Sequence, residues 1–136
     1  MSKQTILIVD DNPHNLKLAR VLLSGEGYDV RTAADAEEAL ELLHTLTPAL
    51  ILMDMQLPGM DGLELTRRLK LDPVRRGIQV VALTAYAMIG DRERALAAGC
   101  DGYISKPIDV DLLPKFVAAQ LAQTPVDSRR TQDGTP

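Results

Sequence analysis

The chain has 136 residues, 46% of them hydrophobic, and 15 Lys and Arg against 19 Asp and Glu give it a net charge of −4. That length fits one domain with a real hydrophobic core, and the acidic balance weighs against nucleic acid as a direct partner, because phosphate binding needs a basic face. Cys100 is the only cysteine, which excludes an internal disulfide; no Cys/His spacing points to zinc, and no apolar run approaches the ~20 residues that span a membrane, so a soluble, cytoplasmic protein is expected.

Trp is absent and Phe occurs once, so the core must be aliphatic. Ile6-Leu7-Ile8-Val9 is a short apolar run without polar alternation, as suits a parallel strand covered on both faces. Asp10-Asp11-Asn12-Pro13 follows, and Asn before Pro is a helix-start signal. Leu16, Ala19, Leu22 and Leu23 then recur at helical spacing until Gly25 and Gly27. Tyr28 to Thr32 reads as a second, more polar strand at a sheet edge. Asp35 is placed to cap a helix running to about Leu46, with Ala36, Ala39, Leu40 and Leu43 as its apolar stripe.

Pro48 leads into a central strand, Ala49 to Met53, whose exposed carboxyl end carries Asp54 before the Pro58-Gly59 turn. A third helix is expected from Gly62 to about Lys70, burying Leu65 and Leu69, and Asp72-Pro73 breaks it ahead of a basic loop over Val74 to Gly77. Val80 to Leu83 is a fourth strand ending at Thr84-Ala85. Asp91 to Ala98 is a fourth helix with Gly99 as its left-handed stop. Gly102 to Ser105 is a brief fifth strand ending in Lys106-Pro107. Asp109 or Asp111 starts a last helix, with Leu112, Leu113, Phe116, Val117 and Leu121 inward and Pro114 in its first turn. Residues 1–123 thus read as one domain and 124–136, which lack an apolar period, as a disordered tail.

Strand and helix alternate five times, the pattern of a three-layer α/β fold. Right-handed crossovers with the first strand central give a five-stranded parallel sheet in the order 2-1-3-4-5, the flavodoxin-like arrangement with five helices. Sites in such folds lie outside the carboxyl ends of strands, at the switch point between the first and third. Asp10, Asp11 and Asp54 would therefore converge in one cleft, joined by Thr84 and Lys106 from the fourth and fifth strands.

Each pair of carboxylates ~5 Å apart repels by about 3 kcal/mol at an effective dielectric near 20. Two such terms around one group rival a domain's marginal stability. A hard divalent cation with oxygen ligands offsets them, and Mg²⁺ suits a site that has few protein ligands and awaits a phosphate. With the Lys106 ammonium and the Thr84 hydroxyl, the set is a phosphoryl-transfer constellation in which a carboxylate can itself be the nucleophile.

Four blocks resemble the receiver domain of two-component response regulators over residues 4 to about 122. They are Ile6-Leu7-Ile8-Val9-Asp10-Asp11-Asn12, then Met53-Asp54-Met55-Gln56-Leu57-Pro58-Gly59-Met60-Asp61-Gly62, Leu83-Thr84-Ala85, and Gly102-Tyr103-Ile104-Ser105-Lys106-Pro107. The tracts Ala85-Tyr86-Ala87-Met88 and Ser105-Lys106-Pro107-Ile108 are similar to DivK-type single-domain regulators and to receivers of hybrid histidine kinases. The resemblance implies that Asp54 is the phosphoacceptor. It makes Asp11 a direct Mg²⁺ ligand, Asp10 a ligand through water, and the Gln56 backbone carbonyl the last protein ligand. It has Thr84 hydrogen-bond the phosphoryl oxygens, Lys106 pair with them, and small Ala85 stand beside the phosphate. It also implies a cis Lys106-Pro107 bond and makes Tyr103 an aromatic switch that follows Thr84.

Taken alone, several of these residues have plainer readings. Asp10-Asp11-Asn12-Pro13 is a common turn and cap, Thr84 a strand-end hydroxyl, Lys106 a solvated lysine, and Tyr103 a half-buried edge residue. His14 and His44 read as solvated, Cys100 and the methionines as packing residues, and Arg67-Arg68 and Arg75-Arg76 as solvated faces. Four functions compete: a switch that takes a phosphoryl group from a histidine kinase or histidine phosphotransfer protein and later loses it to water, a phosphate sink or shuttle within a relay, an aspartyl-phosphate phosphohydrolase, and a scaffold that binds a partner without phosphorylation, against which the intact set of Asp10, Asp11, Asp54, Thr84 and Lys106 argues. The hydrolase needs a second acid two residues after the nucleophile, and Gln56 stands there, so no enzyme is expected beyond self-directed phosphotransfer and dephosphorylation. Only about a dozen residues follow the last helix, so output is expected as altered contact with a downstream protein effector, through residues 87–123, by a monomer or weak dimer.

Overall fold

The structure, a computed structural model, describes residues 3–84 and 90–123. Ala85, Tyr86, Ala87, Met88 and the 124–136 tail, each given a reading above, lie outside the described residues. Elements run β1 (Thr5–Val9), α1 (Pro13–Gly25), β2 (Asp29–Ala33), α2 (Ala36–Leu43), β3 (Leu50–Asp54), α3 (Gly62–Leu71), β4 (Gln79–Thr84), α4 (Asp91–Ala98), β5 (Gly102–Ser105) and α5 (Leu112–Leu121). All strand pairs are parallel and the order is β2-β1-β3-β4-β5. The flavodoxin-like arrangement expected from the alternation is the one observed.

Uninterrupted apolar strands serve both faces, since successive side chains point to opposite sides of a sheet. Ile6, Ile8, Leu50, Leu52, Val81 and Leu83 pack with Ala19 and Leu23 of α1 and with Leu113 and Val117 of α5. The intervening Leu7, Val9, Ile51, Met53, Val80 and Ala82 pack under α2, α3 and α4, through Ala36, Ala39, Leu43, Leu65, Leu69 and Ala95. The core is aliphatic throughout, and β2, with its exposed Arg31, is an edge strand as expected.

Caps set the helix starts. Asn12 accepts from the N–H groups of His14 and Asn15, Asp35 from Glu38, and Asp61 from Glu64. Asp109 accepts from Asp111 and Leu112 just before α5, so it, rather than Asp111, supplies the side-chain cap. Gly99 ends α4 at φ 107°, in the left-handed region.

Some expectations are corrected. The α2 helix stops at Leu43 rather than near Leu46. Each of β2 and β3 begins one residue later than its composition suggests, which makes Asp54 the last residue of β3. Leu112, expected inward, is 60% exposed. The buried stripe of α5 runs through Leu113, Val117 and Gln120, and Leu112 sits one residue, about 100°, off it.

Two polar networks at the amino-terminal end of the sheet replace apolar packing. The Lys70 ammonium reaches Asp101 Oδ2 at 2.8 Å and the carbonyls of Arg76 and Ile78, and the same carboxylate oxygen accepts from the Val80 N–H. Gln79 and Gln120 are both buried; Gln120 Nε2 donates to Gln79 Oε1 at 2.7 Å, and Gln79 Nε2 donates in turn to the Gln120 and Gln123 backbone carbonyls. Breaking a buried pair costs more than the pair contributes, because one charge is left unpaired. Lys70→Met is therefore expected to lose about 3 kcal/mol of stability, measured by urea unfolding, without altering the helix content of the native state.

Candidate functional site

The carboxyl ends of β1, β3, β4 and β5 open on one cleft. In register, Val9 pairs Met53 and Asp54 pairs Leu83, so Asp10 extends the row that Asp54 closes. Asp10 and Asp54 continue the alternating rows of Ile6, Ile8 and of Leu50, Leu52, and Lys106 continues that of Ile104, all on the α1/α5 side. Thr84 follows Val80 and Ala82 on the opposite, α3/α4 side, where Tyr103 also packs. Of the residues singled out from the sequence, the structure thus divides Asp10, Asp54 and Lys106 from Thr84 and Tyr103.

Asp10, Asp11 and Asp54 each offer a carboxylate oxygen within 4.8 Å of the others. Asp10 is fully buried and Asp54 is 2% exposed, whereas Asp11 faces solvent. The exposed strand end expected for Asp54 is therefore a recessed one. Asp54 closes the pairing of β3 with β4, opposite Leu83, and the start of α3 rests on its backbone. Lys106 is no solvated lysine either: its ammonium lies 3.2 Å from Asp10 Oδ2 and 3.2 Å from Asp54 Oδ2, with its side chain 16% exposed.

The remaining acceptor sites are largely spoken for by local donors. Asp54 Oδ1 accepts from the Gln56 N–H at 3.0 Å, Asp10 Oδ1 from the Asn12 N–H at 2.9 Å, and Asp10 Oδ2 from Asn15 Nδ2 at 3.3 Å. Asn15 was not visible as a site neighbour, although it stands one helical turn into α1 behind Asp11 and Asn12. Gln56 has an exposed side chain and begins the loop toward Gly59, which turns at φ 73°. The Lys106-Pro107 peptide bond is cis, as expected. Thr84 is buried at the end of β4, and its carbonyl accepts from the Lys106 N–H at 2.7 Å. Tyr103 is half-buried in β5, paired with Ala82.

Electrostatics follow from this crowding. Burial pushes the Asp54 carboxyl above the ordinary carboxylate range and the Asp10 charge adds to it, while the Gln56 N–H and Lys106 pull the other way. Burial would lower Lys106, but the charges of Asp54 and Asp10 outweigh it and hold the ammonium above its usual range. Cys100 behaves as the packing residue expected: it is buried, its thiol is pushed up to about 11 by desolvation, and its Sγ sits 4.0 Å from Thr66 Oγ1. His14 and His44 are exposed.

A close approach hidden from the sequence fixes the floor of the cleft. A Cβ on Gly62 would run into the carbonyl oxygen of Asp54 and lie 3.0 Å from Met55 Cε. Only glycine lets the first residue of α3 rest on the backbone of β3. That turn is pinned from above by Asp61, whose carboxylate caps Glu64, and by the Thr66 hydroxyl, which donates to the Gly62 carbonyl at 2.8 Å.

Two outcomes are expected. The raised pKa of Asp54 gives stability that is complete below the unfolded carboxylate pKa and is lost as pH rises through the folded value, so the ionised form costs stability at neutral pH. Without divalent cations, Asp54→Asn should melt higher than the parent at pH 7, and the gap should close near pH 3, where both carry a neutral group. Gly62→Ala should lower stability by about 1–3 kcal/mol, the usual cost of overpacking, and move the backbone amide resonances of Met55 and Gln56.

Comparison with known proteins agrees with this geometry. The model of the response regulator receiver domain matches residues 6–118. The polar-differentiation response regulator DivK of Brucella anthropi is 47% identical over 114 residues, which span 84% of this chain and 90% of that protein. Among solved structures, a putative response regulator from Chloroflexus aurantiacus superposes with TM-score 0.85 at 34% identity, covering 90% of this chain and 100% of that one. The receiver domain of sensor histidine kinase PA1611 from Pseudomonas aeruginosa, solved with a magnesium ion coordinated in its active site cleft, gives TM-score 0.81 at 34% identity with the same coverage. A recessed aspartate on the third strand, an acidic pair on the first and a lysine on the fifth, in a chain matched over most of its length, place this protein in the response regulator receiver domain family.

Proposed function

We propose that the chain is a phosphorylation-driven signalling switch in which Asp54 takes a phosphoryl group from a phosphohistidine of a histidine kinase or histidine phosphotransfer protein. The observation that carries this reading is charge: three carboxylates lie within 4.8 Å, two of them buried, and a single lysine bridges both buried ones. One ammonium leaves the cluster short of positive charge, so the cleft suits a divalent cation and then an anion brought in by that cation.

Asp11, exposed at the rim, would ligate Mg²⁺ directly, with Asp10 acting through water and with Asp54 and the Gln56 carbonyl completing the protein's share. Mg²⁺, when bound, neutralises charge on the transferring phosphoryl oxygens. Asp54 Oδ attacks phosphorus as the P–N bond to imidazole breaks; the bonding pair returns to the leaving nitrogen, and the product is an acyl phosphate. Lys106 already sits against Asp54 Oδ2 and would follow the charge onto the phosphoryl oxygens.

Thr84 and Tyr103 would read the result. They share the α3/α4 side of adjoining strands, so a hydroxyl drawn toward the phosphoryl group opens room for the ring beside it. The change is a shift between two packings, favoured by contacts that exist only with phosphate in place. A downstream protein effector would sense it on α4, β5 and α5. Gln56, where a hydrolase of the aspartyl-phosphate type carries its second acid, supports a switch over a phosphohydrolase. No helix is long and apolar enough to cross a membrane among the described residues.

Acetyl phosphate with Mg²⁺ should place one phosphoryl group, labile to both acid and base, on the parent chain, detected by intact mass at neutral pH, and none on Asp54→Asn. Labelling that survives in that variant, or that proceeds equally well with EDTA, would assign the chemistry elsewhere.

A further inference from the structure

The loop from the end of α3 into β4 has no part in the cleft, yet side-chain bonds strap it along its length. Asp72 accepts from the Val74 N–H at 2.8 Å and pairs with Arg75 at 2.6 Å, and Arg75 Nη2 donates to the Leu43 carbonyl at the end of α2. Lys70 holds the carbonyls of Arg76 and Ile78 from below. These ties fix a turn whose outward side chains are Leu71, 81% exposed, and Val74, 80% exposed, the two most exposed large apolar residues among those described. Fixing a surface turn costs conformational entropy, and here it shields little of its own apolar surface.

The charge around that pair is opposite to that of the whole. Of the five cations in residues 64–76, Lys70 turns inward to Asp101 and Arg75 pairs with Asp72, which leaves Arg67, Arg68 and Arg76 outward against Glu64, while the rest of the chain holds ten cations and seventeen carboxylates. Arg67 and Arg68 precede Leu71 by one helical turn and are more than half exposed, and Arg76 is exposed on the far side. The pairing of Arg67 and Arg68 with Glu64 is a solvent-exposed one that exchanges readily for a better partner.

We propose that this surface is a second docking site, taking an acidic partner-protein segment that carries apolar residues at helical spacing and binding it whether or not Asp54 is phosphorylated. Leu71 and Val74 supply the apolar anchors, already ordered, so that little entropy is lost on binding. The arginine guanidiniums set orientation through paired hydrogen bonds to carboxylates. A membrane surface fits less well: Lys70 is turned inward and Arg75 is neutralised by Asp72, so too few cations face outward for lipid binding, and a tight turn offers two side chains rather than the long apolar face of an interfacial helix. A two-fold contact with a second copy would set arginines against arginines.

The place of the patch explains its independence of phosphorylation. The α3 helix starts at Gly62, against Asp54, and runs ten residues, about 15 Å, toward the other end of the sheet. A partner held at Leu71 leaves the phosphoacceptor cleft open to a kinase. The straps of the turn reach the end of α2, Ile78 just before β4, and Asp101, and none reaches the cleft. The site would thus hold the chain beside a partner while the opposite end exchanges phosphate.

The test uses the full chain and a synthetic helical peptide with leucines on one face and glutamates on the other, followed by ¹⁵N chemical shifts. Shifts should cluster on residues 67–76. Leu71→Ser and Val74→Ser, both at exposed positions, should each weaken binding about tenfold, as loss of an anchor does. Arg76→Glu should weaken it and flatten its salt dependence, while Asp54→Asn and acetyl phosphate should change it less than twofold. Equal binding by a peptide of the same composition in shuffled order would show charge attraction alone and overturn the proposal. So would a footprint elsewhere, self-association at the patch, or binding to phosphatidylglycerol vesicles in preference to the peptide.

Discussion

Everything at the carboxyl end of the sheet depends on how three carboxylates are kept together. Asp10 and Asp54 are buried, Asp11 is at the rim, and Lys106 stands between the two buried acids at equal distance. Repulsion at such separations is worth a large fraction of a domain's net stability, so the rest of the structure must hold the acids against it. It does so with parallel strands buried on both faces, with backbone N–H donors from Asn12 and Gln56, and with a helix start laid directly on the Asp54 backbone at Gly62. The residual misfit is visible in Asp54 itself, whose carboxyl group is pushed toward its neutral form. A site strained in this way responds strongly when a cation or a phosphoryl group changes its charge.

The two ends of the sheet divide the work. Ionic groups at the carboxyl end are crowded and underneutralised, which suits chemistry. At the amino end, the Lys70–Asp101 pair and the Gln120-to-Gln79 amide hydrogen bond are matched donor to acceptor, and no buried side-chain polar atom among the described residues lacks a partner. Such satisfied networks hold α3, α5 and the entry to β5 in one arrangement, because each alternative would leave a buried polar group unpaired. The frame that results is stiff where the strands begin and responsive where they end. Strapping of the α3–β4 turn belongs to the same stiff end, and it is what gives Leu71 and Val74 a fixed outward presentation.

Much of this was legible in the residues. Runs such as Ile6-Leu7-Ile8-Val9 and Val80-Val81-Ala82-Leu83 announce buried parallel strands, and Asn12, Asp35 and Asp61 are caps that act within three residues of themselves. The site acids could be named because chain topology alone brings the ends of the first and third strands together. What was missed acts over distance. Lys70 and Asp101 are thirty-one residues apart, and Gln79 and Gln120 forty-one, so neither pairing has a local signature. Gln120 does fall on the stripe of Leu113 and Val117, which marks it as a buried polar residue without saying what satisfies it.

The sequence by itself determined the order of elements, the aliphatic core and the identity of the acidic cleft, since these follow from local periodicity and from the handedness of crossovers. Tertiary structure alone decided the depth and charge state of the cleft. It recessed Asp54, drew Lys106 out of solvent onto two carboxylates, and required glycine at position 62 because α3 touches the backbone of β3 there. It also decided which cations turn inward and which arginines stay on the surface around Leu71. Desolvation and close contact depend on what surrounds a group in three dimensions, and a chain read in one dimension names the groups without their surroundings.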